Sequence, residues 1–293
     1  MKRIFTLCLM LLMALSLTGC GGGGGETKVA STTKVGFLRY LNSDEQQFTG
    51  YMQKIVGNYS INVPKPYEAK FFDNLNSMQM ALEAGQIDEI SIVLPVARYM
   101  VARNDNMQIL EGSPMGNPNM ENLGGNVTEF ANDFCFALTE DKTELKNLIE
   151  NAVSELRNNG TLENLTNTYV TNFKPESDPE AVQFATFEGA ETIKVAVTGD
   201  LPPLDLVTSD GKAAGFNTAI LAEIGKLLNR NIELVQIESG ARAAALTSGQ
   251  ADVSFWTVVP VSQVIPQNAD KPDGIALTAP YYRGATVHVA LKK

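Results

Sequence analysis

The chain has 293 residues, 44% of them hydrophobic, with 23 Lys and Arg against 33 Asp and Glu and a formal net charge of −10. That acidity disfavours nucleic acid as a partner. One histidine, His288, and three widely separated cysteines disfavour a Ser-His or zinc hydrolase and leave no disulfide framework and no cysteine-based metal site.

Lys2 and Arg3 lead into an apolar run over residues 4–17. The run is too short for a comfortable membrane span and has the layout of a secretory signal. It ends in Leu17-Thr18-Gly19-Cys20, which resembles a bacterial lipobox with Cys20 acylated after cleavage. The plainer alternative is an ordinary signal peptide with an incidental cysteine. Once Lys2 and Arg3 are gone, 21 of the 23 basic residues remain against 33 acidic ones, a net charge of −12. Cys8 leaves with residues 1–19, and Cys135 reads as a small buried hydrophobe. Residues 20–32, opened by Gly21 to Gly25, form a flexible spacer with a reach of about 20 Å. No later stretch is long and apolar enough to cross a bilayer, so the body is expected outside the cytoplasm, held on the membrane by its lipid.

Residues 34–38 read as a strand, 39–43 as the turn leaving it and 44–56 as a helix. Residues 69–72 form a second strand, 74–83 a helix with Leu75, Met78 and Leu82 on one face, and 87–93 a third strand before Pro95 and a helix to Arg103. This is a βαβαβ unit. Residues 112–125 are rich in Gly, Pro and Asn and read as a loop. Residues 134–138 are a strand, and 144–158 are an amphipathic helix that turns Leu145, Leu148, Ile149, Ala152, Val153 and Leu156 inward. Asn159-Gly160 ends that helix and 162–170 form a shorter one. Residues 171–191 have little periodicity and read as a linker.

A second βαβαβ unit follows. Residues 193–198 are a strand, and a Pro202-Pro203 turn and Asp210-Gly211-Lys212 come next. Asn217 is the expected N-cap of a helix burying Ile220, Leu221, Ile224, Leu227 and Leu228. Residues 232–237 are a strand, 241–247 a short helix closed by Gly249 in a left-handed cap, and 253–259 a strand. The two units echo one another: residues 81–88, AlaLeuGluAlaGlyGlnIleAsp, match residues 245–252, AlaLeuThrSerGlyGlnAlaAsp.

Val195-Ala196-Val197, the Pro202-Pro203 turn, Asp210-Gly211-Lys212, Gly215-Phe216-Asn217, Ala245-Leu246 with Gly249 and Asp252, and Ala279-Pro280-Tyr281-Tyr282 run in the order of the first lobe of the family 3 extracellular solute-binding proteins. The chain resembles that family, and residues 134–170 resemble its closing block. The resemblance implies an α/β protein of the two-lobed type II periplasmic-binding-protein fold, each lobe a mostly parallel sheet flanked by helices. In that family the lobe matched by residues 193–282 opens the protein, whereas here it closes it. The expected arrangement is therefore a circular permutation. One lobe holds residues 33–130 and 285–293, and the other holds 134–170 and 192–282. Residues 171–191 are the new connection, and hinge crossings fall near 131–133 and 283–284. The alternative is a tandem of two truncated half-proteins.

In that fold the ligand lies between lobes at the strand ends. The resemblance implies a site among Arg39, Tyr40, Asn42, Ser43, Val93, Thr198, Leu201, Ser239, Trp256, Thr257 and Val259. The family's carboxylate-clamping Arg falls at Val264, its ammonium-binding Asp at Val93, and its covering aromatic at Leu201. A free zwitterion held by charge-assisted pairs is therefore not expected. Arg39 is the expected partner of an anionic group, with Asn42 and Ser43 beside it and Trp256 as a flat apolar wall. Arg242 is expected in solvent and Asp200 in a plain turn.

The function expected is capture of a small organic solute, amino-acid-like or a small organic acid, by a monomeric lipoprotein that passes it to an ABC permease in the membrane. No cofactor, metal or enzymatic step is implied. The rival readings are a sensory or structural lipoprotein with a degenerate crevice, and a dehydratase-like enzyme on the same fold.

Overall fold

The computed structural model describes residues 32–59, 66–110, 131–258 and 264–293. The signal, Cys20, the spacer, the 112–125 loop and Val259 lie outside the described residues.

The first strand, β1 (Thr33–Leu38), lies parallel to β2 (Tyr67–Phe72), whose alternation buries Tyr67, Ala69 and Phe71. Between them runs α1 (Glu45–Tyr59). Its start is a reciprocal cap: Gln47 N–H donates to Asp44 Oδ1 at 2.7 Å, and Asp44 N–H donates to Gln47 Oε1 at 3.0 Å. The cap aims Phe48 and Met52 under the strands, where Phe48 meets Phe37 and Phe71 edge-on with ring centroids 5.0 and 5.7 Å apart. Asn74 caps α2 (Leu75–Glu83), accepting from Ser77 N–H at 2.8 Å. Then come β3 (Glu89–Val93), α3 (Leu94–Arg103) and β4 (Met107–Ile109).

Beyond these are β5 (Ala131–Thr139), α4 (Thr143–Asn158), and α5 (Thr161–Thr166), which runs into a π turn, Asn167–Thr171. The stretch 172–191 carries one isolated bridge, Ala181 to Ala214. The chain re-enters the sheet at β6 (Thr192–Val197). Three short strands, β7 (Asp200–Leu201), β8 (Asp205–Val207) and β9 (Ala213–Ala214), form a separate small sheet. They precede α6 (Phe216–Leu228), β10 (Asn231–Gln236), a 3-10 turn at Ser239–Ala241, α7 (Arg242–Thr247), β11 (Val253–Val258), β12 (Ile275–Leu277) and β13 (Tyr282–Leu291).

The main sheet runs β10-β6-β11-β5-β13-β3-β1-β2, with β12 on β5 and β4 on β13. Its two sides are parallel, β1 with β2 and β3, and β6 with β10 and β11. Its middle is antiparallel and is made by β5 and β13. The long strand β13 serves both sides. Tyr282 to Ala285 pair with β5, while Thr286 to Val289 pair with β3 and Val289 to Leu291 with β4. At the crossing Arg283 holds Asp133 through both oxygens, at 2.6 and 2.9 Å.

The echo between residues 81–88 and 245–252 is a shared joint. Gly85 and Gly249 take the left-handed conformation at φ 68° and 73°. Asp88 then accepts from Lys34 N–H at 2.8 Å and donates its own N–H to Lys34 O at 2.8 Å. Asp252 makes the same two bonds with Lys194, at 2.9 and 2.8 Å. One carboxylate thus sets the register of β1 against β3, and another sets β6 against β11.

Two details differ from the expectation. The N-cap of α6 is Gly215, at φ 106°, and Asn217 lies within the helix, 5% exposed. A Cβ at Gly215 would sit 2.7 Å from Pro203 O, so the close approach of β9 to that turn forbids a side-chain cap there. Leu227 is 39% exposed because the buried face of α6 is set by Ile220, Leu221 and Ile224.

Candidate functional site

The carboxyl ends of β1, β3, β6 and β11 converge on a cavity of about 170 Å³. This is where parallel sheets place ligands, because helix N-termini and loops meet there. Leu38 and Val93 face it from the β1 side, and Val197, Thr198 and Thr257 from the β6 side. Phe134, Asn132 and Thr286 complete the floor at the β5–β13 crossing.

Arg39, Tyr40, Val93, Thr198, Leu201, Ser239, Trp256 and Thr257 line the cavity. Asn42 and Ser43 do not. They line a separate surface depression with residues of α1, and Asn42 is exposed and donates to Asn268 O at 2.9 Å. The residues at the family's anchor positions are apolar packing: Val93 is 8% exposed, and Val264 packs against the aromatic cluster around Phe48.

Arg39 is not free to hold a ligand anion. Its Nε and Nη2 hold Asp73 at 2.6 and 3.2 Å. That hydrogen bond raises the guanidinium and holds Asp73 below the usual carboxylate range. A second cation at the cavity wall is Arg242, which is largely shielded rather than solvated, with 11% of its side chain exposed. Its Nε donates to Ser239 O at 2.8 Å, and its Nη2 to Arg39 O at 3.0 Å and Asp270 Oδ1 at 3.1 Å. The guanidinium lies 4.3 Å from the centre of the Trp256 ring, in cation–π contact. Asp270 also accepts from Leu41 N–H at 2.8 Å. Burial pushes its carboxyl up, ahead of the opposing pull of Arg242 and Leu41. The Tyr40 hydroxyl is pushed up too, first by burial and then by Asp270.

These groups also join the two sides of the sheet. Asp73 O accepts from Ser239 N–H at 2.9 Å, and Asn74 donates to Glu238 at 2.9 Å. Asp200 is more than a turn residue: its Oδ2 accepts from Leu75 N–H at 2.7 Å, at the start of α2. Gly240 is needed at this seam, because a Cβ there would lie 2.6 Å from Asp73 Oδ1.

The residue that sequence reasoning missed is Asp205. It sits in β8 against the cavity, 3% exposed. The first turn of α6 fixes its surroundings, because Phe216 and Asn217 N–H donate to Pro203 O and Leu204 O at 2.9 and 2.8 Å. Asp205 Oδ2 accepts from Gly199 N–H at 3.3 Å and the Thr198 hydroxyl at 3.5 Å. Its Oδ1 has no protein partner. Burial pushes this carboxyl up to about 6, with the Asp200 charge adding to it. The available signal was a lone acid in the run Leu204-Asp205-Leu206-Val207. Beside it, Asn217 Oδ1 accepts from the Tyr281 hydroxyl at 2.9 Å.

Among the described residues no group of His, Cys, Asp and Glu could hold a metal ion, and no helix is long and apolar enough to cross a membrane. The arrangement can enclose a small molecule.

No curated protein matches the chain by sequence. Solved structures match it loosely. The ligand-binding component of an ABC-type import system from Staphylococcus aureus, with zinc bound, is 12% identical over 89% of this chain and 66% of that one, with a TM-score of 0.41. A periplasmic substrate-binding protein of an ABC transporter from Coxiella burnetii is 12% identical over 88% and 84%, with a TM-score of 0.38. CbnR, a LysR family transcriptional regulator, is 10% identical over 89% and 64%, with a TM-score of 0.40. Binders and regulators match equally loosely, so these likenesses do not choose between functions. One family model matches part of the chain: residues 193–292 match the bacterial extracellular solute-binding proteins, family 3. That segment, which supplies Asp205, Arg242 and Trp256 to the cavity, is similar to that family.

Proposed function

We propose that this protein captures a small organic solute between two lobes and presents it to an ABC importer. The observation that carries the reading is the cavity itself. It lies at the strand ends, and it is walled on one side by the family-matched segment and on the other by residues 33–93. We also read the chain as circularly permuted. The support is the pairing of β13 with β3 and β4, and of β5 with β11 and β12, which puts the end of the chain in the sheet of residues 33–109 and the mid-chain strand in the sheet of residues 192–277. A tandem of independent halves would keep each strand in its own half.

The lipid anchor at Cys20 and an extracytoplasmic location belong to the same proposal and rest on the sequence at residues 2–20. Capture needs no chemistry, since closure of the lobes suffices. A second reading, a lipoprotein whose lobes stay shut, draws on the contacts of Asp73, Asn74 and Leu75 with Ser239, Glu238 and Asp200.

A melting screen of the full chain against small solutes separates the two. A true ligand at a hundred times its dissociation constant stabilises the fold by about 2.7 kcal/mol, or roughly 5–10 °C for a body this size. A protein whose melting no solute moves is not a capture protein.

A further inference from the structure

The chemical class of the solute follows from the charges on the cavity wall. Four charged side chains line it among the described residues: Arg39, Asp205, Arg242 and Asp270. Arg39 is matched by Asp73, and Arg242 by Asp270. Asp205 is matched by nothing. It receives two long hydrogen bonds on Oδ2 and none on Oδ1, although it is 3% exposed. A buried carboxylate oxygen without a donor is costly, and such an atom at a binding cavity marks where a ligand donor belongs. The rest of the wall is chiefly apolar, with Val93, Phe134 and Leu201 among its members, and the buried indole N–H of Trp256 is a donor on it that has no protein partner. Its volume of about 170 Å³ is close to that of an engineered apolar cavity of about 150 Å³ that accepts benzene.

We propose that the cavity takes a monocationic amine with a compact apolar body of about six to eight non-hydrogen atoms, by comparison with that benzene-sized space, its ammonium donating to Asp205 Oδ1. The inference rests on the solute-binding reading above. It replaces an anionic ligand on Arg39 with a cationic one on Asp205, because Arg39 is already paired. A free α-amino acid is disfavoured on the same count, since its carboxylate would find no unmatched cation on the wall. The buried, raised carboxyl of Asp205 is ionised in most molecules at pH 8 and is stabilised when a cation meets it.

The test holds shape constant and varies charge. Benzylamine, benzyl alcohol and benzoate are titrated calorimetrically into the full chain in detergent at pH 8, and into Asp205→Asn. Benzylamine should bind at least tenfold more tightly than benzyl alcohol, and benzoate should not bind. Asp205→Asn should erase the difference between amine and alcohol. Equal binding of amine and alcohol, or preference for benzoate, overturns the amine assignment and leaves solute capture standing. Preference for benzylamine that survives Asp205→Asn moves the site elsewhere and overturns it as well. If none of the three binds, the amine assignment falls, and the broader melting screen decides capture independently.

Discussion

Replacing Asp205 by Asn should make this protein more stable, with a gain that depends on pH. The carboxyl titrates at about 6, against an ordinary value of 3.8. A displacement of roughly 2 pH units, at about 1.4 kcal/mol each, means that the ionised group costs the fold about 3 kcal/mol. The folded state holds the proton more tightly than the unfolded chain does. The cost is therefore full above pH 6, shrinks as pH falls, and is gone below about 4, where both states carry the proton. Asn keeps the shape and an acceptor for Gly199 N–H, but its amide needs a new partner, so the expected gain at pH 8 is about 1–3 kcal/mol, seen as about 5 °C in melting temperature. The assay is thermal unfolding of both proteins at pH 8, 6 and 4, with the difference between them as the readout. A variant less stable than its parent at pH 8 would refute the reasoning, because the ionised carboxylate would then have a favourable partner. So would a difference that stays constant across pH.

Arg242→Met should cost about 3–5 kcal/mol near neutral pH, since it strands the buried Asp270 carboxylate; denaturant unfolding measures it, and the loss should diminish at acid pH as Asp270 takes a proton. Tyr281→Phe should cost about 1–3 kcal/mol by leaving Asn217 Oδ1 without its donor inside the core, read by the same unfolding curves. Cys20→Ala should move the protein out of the lipid-modified membrane fraction without changing its melting temperature, as fractionation and mass spectrometry of the lipid would report.

The longer strands and helices were legible because their signals are local, whereas the short strands β4, β7, β8, β9 and β12 were not. The Gly85 and Gly249 joints repeat in the letters of the chain, and apolar spacing marks the buried faces of α2 and α4. The site was legible only where position along a strand decides it. Val93, Thr198 and Thr257 stand at strand ends, and they line the cavity. What failed was charge. Whether Arg39 or Arg242 is free depends on Asp73 and Asp270, the second of which is 28 residues from its partner and arrives by way of a loop. Asn217 looked like a cap because Asn favours helix starts, but the approach of Pro203 to Gly215 had already decided the turn. Nothing in a one-dimensional pattern carries such meetings.

The seam between residues 73–75 and residues 200, 238 and 239 bears on the proposed importer role, in which a membrane partner would read the outline of this protein. Ser239 N–H to Asp73, Asn74 to Glu238 and Leu75 N–H to Asp200 are contacts between protein groups alone. A solute shifts the balance between shut and open forms only by its difference in affinity for the two, and in the proposed two-lobed capture these contacts would supply part of the shutting. A permease sensitive only to the shut outline would accept vacant and loaded copies alike, and vacant copies would compete for it. Under that reading, productive delivery would depend on how fast the seam releases rather than on how firmly it closes. Gly240, at 2.6 Å from Asp73 Oδ1 by its virtual Cβ, is the point at which a single methyl group would loosen it.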